Sequence, residues 1–455
     1  MKLWKYLKDK MQLNLQQVIC ENDASMTFDE IIVFAEQFSK KLQGIKCCAI
    51  LCQSEMAAGI ALLCCFAAEV TALPLSQRYG ELHCNKILDA ISPDAVITDQ
   101  GGNLNIIHIK DSSYSQPDVH PALIMCTSGT TGTPKGAMLT ETNLMTNISD
   151  IAFYFGIGEF DTILISRPLY HCAVLTGEFL IALIKGVKIR FYSGVFNPAI
   201  MLRMLKQYNI TVFCGTPTLL SMMSRFKRNN DNDLLQHICI SGECMSYETG
   251  LFIAQTFPNA KIYHVYGLTE ACPRVSFLPP HKFKKCADCV GVPLRSVTLK
   301  IISKEGAVAN VNEVGTLWVK GDNVMLGYYN NPEKTEESIK DGWLCTGDLA
   351  LFTEEGLLKI KGRSDDLIIK AGMNIYPQEI ESALKLDNRV NDVFVRSYID
   401  DKFGTQIELN ITGDFVDVKE VKELCQTNLC SYQIPARINL LDEILKNSSG
   451  KIIRR

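Results

Sequence analysis

The strongest constraint on the fold of this chain is an apolar segment that runs directly into a loop rich in glycine and hydroxyl side chains. The apolar residues are 123–125, and residues 127–136 read Thr-Ser-Gly-Thr-Thr-Gly-Thr-Pro-Lys-Gly. Glycine lets backbone N–H groups approach a phosphate closely, hydroxyls donate hydrogen bonds to its oxygens, and lysine supplies positive charge. The pattern predicts a buried strand followed by a phosphate-binding loop; an ordinary surface turn is the simpler alternative.

The spacing within this loop distinguishes it from the common P-loop. A P-loop places its lysine directly after the last glycine, at the start of a helix. Here Thr133 and Pro134 separate Gly132 from Lys135. Because proline restricts the preceding residue to an extended conformation, no helix is expected to begin at this lysine. A GxGxxG pattern of the protein-kinase type is also missing from this stretch.

The loop resembles the phosphate-binding loop of the adenylate-forming (AMP-binding) superfamily, which includes acyl-CoA synthetases, aryl-CoA ligases, nonribosomal adenylation domains and luciferases. Further motifs of that superfamily follow in the same order and cover nearly the whole chain. The resemblance implies that this loop binds the phosphates of ATP. The residues it assigns to that role are Thr127, Ser128, Gly129, Thr130, Thr131, Gly132 and Lys135.

Length and the order of apolar segments predict an α/β fold with more than one domain. The chain has 455 residues, too many for one compact core. Short apolar segments, such as 49–51 and 238–240, alternate with helical patterns, which is typical of parallel sheets covered on both faces. From residue 315 onwards, strand-like segments separated by turns predict antiparallel sheet.

The polar stretch 362–366 marks a domain boundary, and the residues after it read as a separate small α/β unit. The resemblance implies the same division. It predicts a large N-terminal AMP-binding domain (1–362) of stacked, mostly parallel sheets with an antiparallel subdomain. A hinge (363–366) and a small, mobile α+β C-terminal lid domain (367–455) would follow.

A second motif, Tyr266-Gly267-Leu268-Thr269-Glu270, follows another apolar segment. Open α/β sheets bind ligands at the carboxyl ends of their strands. At such a position an aromatic ring can stack on adenine, a threonine can donate to a phosphate, and a carboxylate can hold Mg²⁺. The superfamily assigns these roles to its Tyr-Gly-x-Thr-Glu motif. Taken alone, the pentapeptide reads as a strand end and a helix cap.

Two nearby positions are also predicted to contact the nucleotide. Gly242 and Glu243 follow the apolar segment 238–240, where the superfamily has a loop beside the adenine and the acyl pocket. A simple strand-to-helix turn is the alternative there. His264 lies where relatives often place an adenine-contacting Asn or Gln.

The segment 343–349, Trp-Leu-Cys-Thr-Gly-Asp-Leu, resembles the Gly-Trp-x-x-Thr-Gly-Asp motif. A carboxylate can accept hydrogen bonds from both hydroxyls of a ribose, so Asp348 is the predicted ribose ligand. Arg363 is predicted as a second ribose or phosphate contact. The resemblance places Asp365 at the hinge and Gly372 in a loop used in the second half-reaction. For each of these residues considered alone, the alternative is an ordinary position in a surface turn.

Near the end, residues 447–451 read Asn-Ser-Ser-Gly-Lys and resemble the C-terminal Pro-x-x-x-x-Gly-Lys motif without its proline. The resemblance implies that Lys451 bridges the substrate carboxylate and the α-phosphate. A point charge on a flexible stem suits that role, because negative charge develops at the phosphorus in the transition state. A solvated lysine on a basic tail is the alternative.

Pro168-Leu169-Tyr170-His171 resembles the Pro-x-x-His of CoA ligases, in which an aromatic residue or His gates the substrate pocket. Amino-acid-activating relatives carry Asp at this place to bind an ammonium group. His171 therefore favours an aliphatic or aromatic acid over an α-amino acid. A buried, hydrogen-bonded core histidine is the alternative.

Together the motifs imply an AMP-forming carboxylate–CoA ligase that uses ATP, Mg²⁺ and CoA. Its catalytic residues would be Thr269, Glu270, His171 and Lys451, with Glu270 as the Mg²⁺ ligand. Transfer of the acyl group to the phosphopantetheine arm of an acyl carrier protein would need the same motifs and stays open. A nucleotide-binding module without catalysis is disfavoured, since Lys135, Glu270, Asp348 and Lys451 are all retained.

Net charge and hydrophobic pattern limit the kinds of partner that the chain is expected to bind. The formal charge is −4, from 46 basic and 50 acidic residues, which gives no support to nucleic acid or an anionic membrane surface as a partner.

The longest apolar run, Met56 to Ala68, is shorter than the roughly 20 residues of a membrane span, so it predicts a core helix. No secretory segment opens the chain. The 18 cysteines lack the pattern of a disulfide framework, so free thiols and a cytoplasmic protein are expected.

Overall fold

The structure is a computed structural model that describes residues 2–77, 80–127, 134–228, 234–370, 373–400, 404–446 and 452–453. Over these residues the chain forms 26 strands and 14 α-helices, with a π-helix and several short 3₁₀ turns.

The strands carry the two large sheets and three smaller ones. They are β1 (Val18–Glu21), β2 (Ala24–Thr27), β3 (Cys47–Ile50), β4 (Thr71–Pro74), β5 (Ala95–Gln100), β6 (Asn103–His108), β7 (Leu123–Thr127), β8 (Lys135–Leu139), β9 (Thr162–Ile165), β10 (Lys188–Phe191), β11 (Val212–Gly215), β12 (His237–Ile240), β13 (Lys261–Gly267), β14 (Arg274–Leu278), β15 (Val292–Pro293), β16 (Val297–Ile302), β17 (Gly315–Gly321), β18 (Gly327–Tyr328), β19 (Ile339–Lys340), β20 (Trp343–Phe352), β21 (Leu358–Arg363), β22 (Ile368–Lys370), β23 (Met373–Ile375), β24 (Val390–Asp400), β25 (Gly404–Gly413) and β26 (Arg437–Leu440).

The helices connect and cover these strands. They are α1 (Lys2–Met11), α2 (Phe28–Ser39), α3 (Glu55–Ala68), α4 (Glu81–Ile91), α5 (Glu141–Tyr154), α6 (Cys172–Val174), α7 (Ile181–Ile184), α8 (Pro198–Gln207), α9 (Pro217–Phe226), α10 (Tyr247–Thr256), α11 (Pro280–Phe283), α12 (Pro332–Ser338), α13 (Pro377–Leu384) and α14 (Val418–Asn428). The π-helix, Leu175–Leu180, lies between α6 and α7 and is buried throughout.

Both large sheets are parallel at their centres and antiparallel at their edges. One has nine strands in the order β15-β14-β13-β12-β11-β9-β10-β1-β2, and the other has seven in the order β18-β8-β7-β4-β3-β5-β6. The predicted parallel sheets are thus confirmed for the central strands. The edge pairs are antiparallel because short turns, such as those between β1 and β2 and between β5 and β6, reverse the chain.

Individual helices and strands predicted from the sequence are confirmed where the local hydrophobic pattern is strong. The apolar run predicted as a core helix is α3, which lies in the main hydrophobic core between the sheets. The antiparallel sheet predicted after residue 315 is formed by β16, β17, β19, β20 and β21. Regular alternation and long apolar runs identify such elements without tertiary information.

The C-terminal part has a hydrophobic core of its own. Strands β24, β25 and β26 form one sheet, and α13 and α14 pack on it through Ile380, Leu384 and Leu424. All buried members of this core lie between residues 368 and 425. A separate small unit follows the large sheets, as the sequence predicts; the boundary at 363–366 stays a prediction.

Two further features bear on the sequence expectations. Across the residues described, no helix combines the length and apolar character that a membrane crossing requires. All 18 cysteines lie within the described ranges and none of them forms a disulfide. Only Cys244 and Cys430 have exposed side chains.

Candidate active site

Eleven of the predicted site residues line a cavity of about 920 Å³ between the large sheets and the C-terminal unit. The carboxyl ends of β12 and β13 open into it, and Gln378, Glu381 and Ser382 of α13 close its other side. Parallel strands present their following loops at one edge of a sheet, which is where such folds bind ligands. The predicted residues that line the cavity are Lys135, Gly242, Glu243, His264, Tyr266, Gly267, Thr269, Glu270, Asp348, Arg363 and Asp365.

Several predicted residues lie outside the described part of the chain. These are Ser128, Gly129, Thr130, Thr131, Gly132, Gly372 and Lys451. Ile452, which follows Lys451 in sequence, lines the cavity and pairs with Lys446 in an antiparallel bridge. Residue 452 therefore lies at the cavity wall.

The ends of the phosphate-binding loop are held by a β-hairpin. Strands β7 and β8 pair antiparallel, with Thr127 opposite Lys135. Lys135 begins a strand and not a helix, as Pro134 predicts. The ammonium group of Lys135 lies 5.9 Å from the centre of the Tyr328 ring and faces the cavity. The hairpin thus fixes a cation at the edge of the cavity independently of the loop that precedes it.

Tyr266, Asp348 and Arg363 form a hydrogen-bonded group on neighbouring sheets. The hydroxyl of Tyr266 donates to Asp348 Oδ2. Arg363 Nη1 lies 3.4 Å from Asp348 Oδ1 and donates to the carbonyl of Thr346 at 2.9 Å. Asp348 and Arg363 are directly opposite on β20 and β21. The register of this strand pair therefore brings the two predicted ribose ligands together.

Burial dominates the electrostatics of this group. It raises the pKa of the Asp348 carboxyl above its ordinary value, although the hydrogen bond from Tyr266 and the Arg363 charge act in the opposite direction. Burial also raises the pKa of Tyr266, and the neighbouring Asp348 carboxylate adds to that effect. A desolvated carboxylate beside a guanidinium is a strong acceptor for hydroxyl donors.

Two glycines create the space that this arrangement needs. A Cβ on Gly267 would lie 1.9 Å from the carbonyl oxygen of Pro273, so only glycine allows the backbone to fold back there. Gly347 has φ +71°, and a Cβ on it would lie 2.9 Å from Arg363 Nη2. Glycine adopts positive φ at no steric cost. Both therefore support the positions of the motif residues that follow them.

Thr269 and Glu270 lie in a 3₁₀ turn directly after β13. Glu270 Oε1 accepts a hydrogen bond from the Tyr328 hydroxyl at 2.8 Å, and its backbone carbonyl accepts from Met325 N at 2.9 Å. Within the described residues, no three Asp, Glu, His or Cys side chains cluster as a metal site would require. Mg²⁺ commonly binds through one or two carboxylates together with substrate phosphates, so Glu270 fits that type of site.

Glu243 lines the cavity, but its carboxylate is engaged with a helix. Glu243 Oε2 accepts from the Thr218 hydroxyl at 2.7 Å and from Thr218 N at 3.2 Å. Thr218 is in the first turn of α9, where backbone N–H groups lack partners within the helix and carboxylates are stabilising. Gly242, with φ +96°, makes the turn that directs Glu243 to this position. Their predicted role at the nucleotide stays a prediction.

His264 borders the cavity as a fully buried side chain, 1% exposed. Its Nδ1 lies 3.0 Å from the carbonyl of Ala287. Burial lowers its pKa from 6.5 to about 4, so the imidazole is neutral at pH 7. The ring holds the segment around residue 287 against β13, which shapes the cavity wall whether or not it also contacts a nucleotide.

Because the pKa of His264 is lower in the folded chain, stability should depend on pH. Between about pH 6.5 and pH 4 the unfolded chain binds the extra proton, so stability falls as pH falls through that window. The shift corresponds to about 3 kcal/mol at most. We expect His264→Gln to flatten the fall in the free energy of unfolding, measured by urea titration at pH 7 and pH 5. His281→Gln, at an exposed position, is the control and should leave the slope unchanged; an equal flattening in both variants would contradict the assignment.

His171 is placed apart from the other predicted residues. It directly precedes α6, and its ring packs at a tilt of 45° against that of Tyr170, with the ring centres 4.1 Å apart. It is not among the residues that line the cavity. The next residue, Cys172, is buried, and its pKa is raised to about 12 by burial, with a further contribution from the Glu270 carboxylate. The role of His171 as a gate stays a prediction.

Behind the cavity wall lies a buried charged cluster that the sequence did not predict. Arg167 and Glu178 form an ion pair at 2.5 Å with side chains 6% and 0% exposed. The guanidinium of Arg274 packs against Gly177 of the π-helix and lies 3.5 Å from Cys239 Sγ. Burial raises the pKa of Glu178, and both arginines oppose that rise. Arg274 pairs in the sheet with Gly267, so the cluster supports the strand that carries the Tyr-Gly-x-Thr-Glu motif.

Tyr328 is the site residue that sequence reasoning missed. It lines the cavity and contacts both Lys135 and Glu270. It follows Gly327 in a two-residue strand, which is too short to give a periodic pattern. An aromatic residue after glycine was the only local signal.

Comparison with protein families gives a match over most of the chain. A model described as AMP-binding enzyme matches residues 9–329. A long-chain-fatty-acid–CoA ligase of Haemophilus influenzae is 32% identical over 364 residues, which cover 76% of this chain and 63% of that protein. The chain thus spans less than two thirds of that relative. A 2-succinylbenzoate–CoA ligase of Bacillus licheniformis is 28% identical over 99% of this chain and 98% of its own length.

Solved structures agree with these sequence matches. The o-succinylbenzoate CoA synthetase of Bacillus subtilis in complex with its acyl-adenylate intermediate superposes with a TM-score of 0.86 at 27% identity, over 99% of this chain and 96% of that one. The same enzyme in complex with ATP and a magnesium ion gives a TM-score of 0.84, over 99% and 98% of the two chains. The mixed α/β architecture with a small C-terminal unit is therefore shared along the whole chain.

Proposed function

The chain belongs to the AMP-binding enzyme family, and from this premise we propose that it is an AMP-forming carboxylate–CoA ligase. It would activate an organic acid with ATP as an acyl-adenylate and transfer the acyl group to the thiol of CoA. The observation that carries the proposal is the convergence of Tyr266, Glu270, Asp348 and Lys135 on one cavity. Two sequence relatives that are CoA ligases by name support it.

The chemistry requires positioning and charge neutralisation. A carboxylate oxygen attacks the α-phosphorus of ATP, and the bond from that phosphorus to pyrophosphate breaks. The sulfur of CoA, with loss of its proton, then attacks the acyl carbon, and the bond to AMP breaks. Phosphoryl chemistry of this kind depends mainly on holding the reactants in line and on stabilising developing charge. The cavity offers cations and hydroxyls suited to both tasks.

We assign the adenosine to the Tyr266 side of the cavity. The Tyr266 ring would stack on adenine, near Gly242, Glu243 and His264. Asp348 would accept hydrogen bonds from the ribose hydroxyls, with Arg363 as a second contact. The support is the hydrogen-bonded group that holds Asp348 against Arg363 and Tyr266. A carboxylate already fixed by two neighbours needs little reorganisation on binding.

We assign the phosphates to the part of the cavity where Lys135 and Glu270 both contact Tyr328 and Thr269 also lines the wall. The loop 127–132 would supply further donors. Glu270 would hold Mg²⁺, which when bound supplies positive charge to the phosphate oxygens. The fit rests on its cavity-facing carboxylate, one oxygen of which is held by Tyr328. Lys451 would bridge the substrate carboxylate and the α-phosphate.

The C-terminal unit would act as a lid. Residues 363–366 would form the hinge and 367–455 the lid, with Asp365 at the pivot and Gly372 used in thioester formation. Support comes from the separate core of this unit and from its position against the cavity. Hinges are commonly a few residues at the ends of elements, and Arg363 ends β21 here.

The substrate would be an aliphatic or aromatic carboxylic acid. His171, in place of an Asp that could bind an ammonium group, argues against an α-amino acid. Incubating the protein with ATP, Mg²⁺ and a panel of acids, with and without CoA, tests the proposal. Pyrophosphate release that requires an acid, together with an acyl-CoA product by mass spectrometry, is the expected result. A lack of pyrophosphate release with every acid in a panel of aliphatic, aromatic and dicarboxylic acids would count against the proposal.

The same assay tests the ribose assignment through Asp348→Ala. Hydrogen bonds to a charged group contribute about 1.5–3 kcal/mol each, so we expect the KM for ATP to rise about 10- to 100-fold. Asp387→Ala is the matched control, because Asp387 also pairs with an arginine, Arg389 at 2.8 Å, and is not among the residues that line the cavity. An unchanged KM for ATP in Asp348→Ala would remove this residue from the nucleotide site.

A further inference from the structure

Tyr328 connects the two groups that would flank the phosphates. Its hydroxyl donates to Glu270 Oε1 at 2.8 Å. The ammonium group of Lys135 lies 5.9 Å from the centre of its ring, within the range of a cation–π contact. The side chain is 8% exposed. One rigid ring therefore separates a cation from a carboxylate and contacts both.

The backbone of Tyr328 is fixed to the same two segments. In the sheet, β18 pairs with β8, and Tyr328 is opposite Ala137, two residues after Lys135. Tyr328 N donates to the Thr335 hydroxyl at 2.9 Å. Three residues earlier, Met325 N donates to the carbonyl of Glu270 at 2.9 Å. The chain from 325 to 328 thus ties the turn that carries Glu270 to the strand that begins at Lys135.

The hydrogen bond leaves Glu270 with one oxygen for a ligand. Oε1 accepts from Tyr328, and Oε2 accepts no hydrogen bond from any residue that the structure describes. Partners that orient a metal-binding carboxylate commonly change metal affinity about 10- to 100-fold when removed. A carboxylate without this partner could turn about its terminal bond and would have to be ordered again on binding.

We propose that Tyr328 is a positioning residue of the phosphate site. It orients Glu270 toward the metal of the nucleotide and sets the distance between Glu270 and Lys135. This inference rests on the proposed function, because it takes Glu270 as the Mg²⁺ ligand.

Tyr329 provides a matched control next to Tyr328. It is equally buried, at 6% exposed, and its hydroxyl also makes one hydrogen bond, accepting from Ser115 N at 2.9 Å. Its ring stacks on Tyr114 at 5.2 Å, and it is absent from the lining of the cavity. Tyr328→Phe and Tyr329→Phe each remove one oxygen, but only the first touches the site.

The test is the effect of Mg²⁺ on ATP binding, which needs no turnover. Calorimetry gives the Kd of ATP with Mg²⁺ and with EDTA for the whole chain and each variant, and the ratio of the two is the gain from the metal. In Tyr328→Phe we expect this gain to fall about 10-fold, as in Glu270→Gln, while ATP binding in EDTA is unchanged. Tyr329→Phe should keep the wild-type gain. Thermal unfolding of each variant checks that it is folded.

A second substitution separates the two contacts of Tyr328. Tyr328→Leu removes the ring as well as the hydroxyl, so it should also weaken ATP binding in EDTA, by about two- to five-fold. A Tyr328→Phe protein with the full wild-type gain from Mg²⁺ would overturn the assignment, and so would an equal loss in Tyr329→Phe. If the wild-type protein binds no ATP, both the proposed function and this inference are rejected. If Mg²⁺ strengthens ATP binding equally in the wild-type protein and in Tyr328→Phe, only this inference is rejected.

Discussion

Lys451→Ala should slow formation of the acyl-adenylate about 100- to 1,000-fold, the usual effect of removing one group that stabilises transition-state charge. The rate of acyl transfer from a supplied acyl-adenylate to CoA should stay within a few-fold of wild type. In that step the thiol attacks the acyl carbon and not the α-phosphorus, so no pentavalent phosphorus has to be stabilised. The two half-reactions are measured separately, by pyrophosphate release and by thioester formation. Ile452, the next residue in sequence, lines the cavity.

A lysine from the same tail makes the control. Lys446 is paired with Asp392 at 2.7 Å and does not line the cavity, so Lys446→Ala should leave both half-reactions near wild type. Lys451→Arg keeps the charge but replaces a compact ammonium with a planar group, and it should recover only part of the rate. Equal losses in both half-reactions of Lys451→Ala would contradict the role proposed for Lys451.

Glu178→Ala should lower the free energy of unfolding by about 3–5 kcal/mol, because it leaves the buried guanidinium of Arg167 without its carboxylate. Arg167 and Glu178 are almost fully excluded from water, and the Arg274 guanidinium lies beside them in the core. Urea unfolding gives the change directly. The loss should be large because a buried charge without a partner is costly.

The surface pair of Lys8 and Glu36 is a control matched in distance. It also measures 2.5 Å, but its side chains are 29% and 45% exposed, so Glu36→Ala should cost less than about 1 kcal/mol. Glu178→Gln keeps an acceptor for Arg167 and should fall between Glu178→Ala and wild type. A cost for Glu178→Ala no greater than for Glu36→Ala would show that the buried cluster does not stabilise the fold.

Much of the fold was predictable because its elements have strong local patterns. The strand before the phosphate-binding loop, the core helix α3 and the strand ending at Gly267 all follow from apolar runs and their flanking residues. Asp348 and Arg363 were both predicted from motifs, but their contact depends on the register of β20 and β21. Motifs identify such residues, whereas register decides which of them meet.

Other parts of the site depend on contacts that leave no local pattern. Glu270 and Tyr328 are 58 residues apart, and neither segment predicts the other. Arg274 reads in the sequence as a solvated residue after Pro273, since arginine is rarely fully buried. Its burial is possible only because Gly177, nearly a hundred positions earlier, leaves room for the guanidinium. Long-range complementarity of this kind appears only once the chain is folded.

The burial of most of the thiols, 13 of 18, has a practical consequence. With Cys244 and Cys430 as the only exposed cysteines, maleimide-type labels would attach first at one point beside the nucleotide cavity and at one point on the C-terminal unit. The natural chain thus offers a donor–acceptor pair for fluorescence or spin–spin distance measurements. These two labels would report any movement of the proposed lid relative to the cavity without the introduction of a new cysteine.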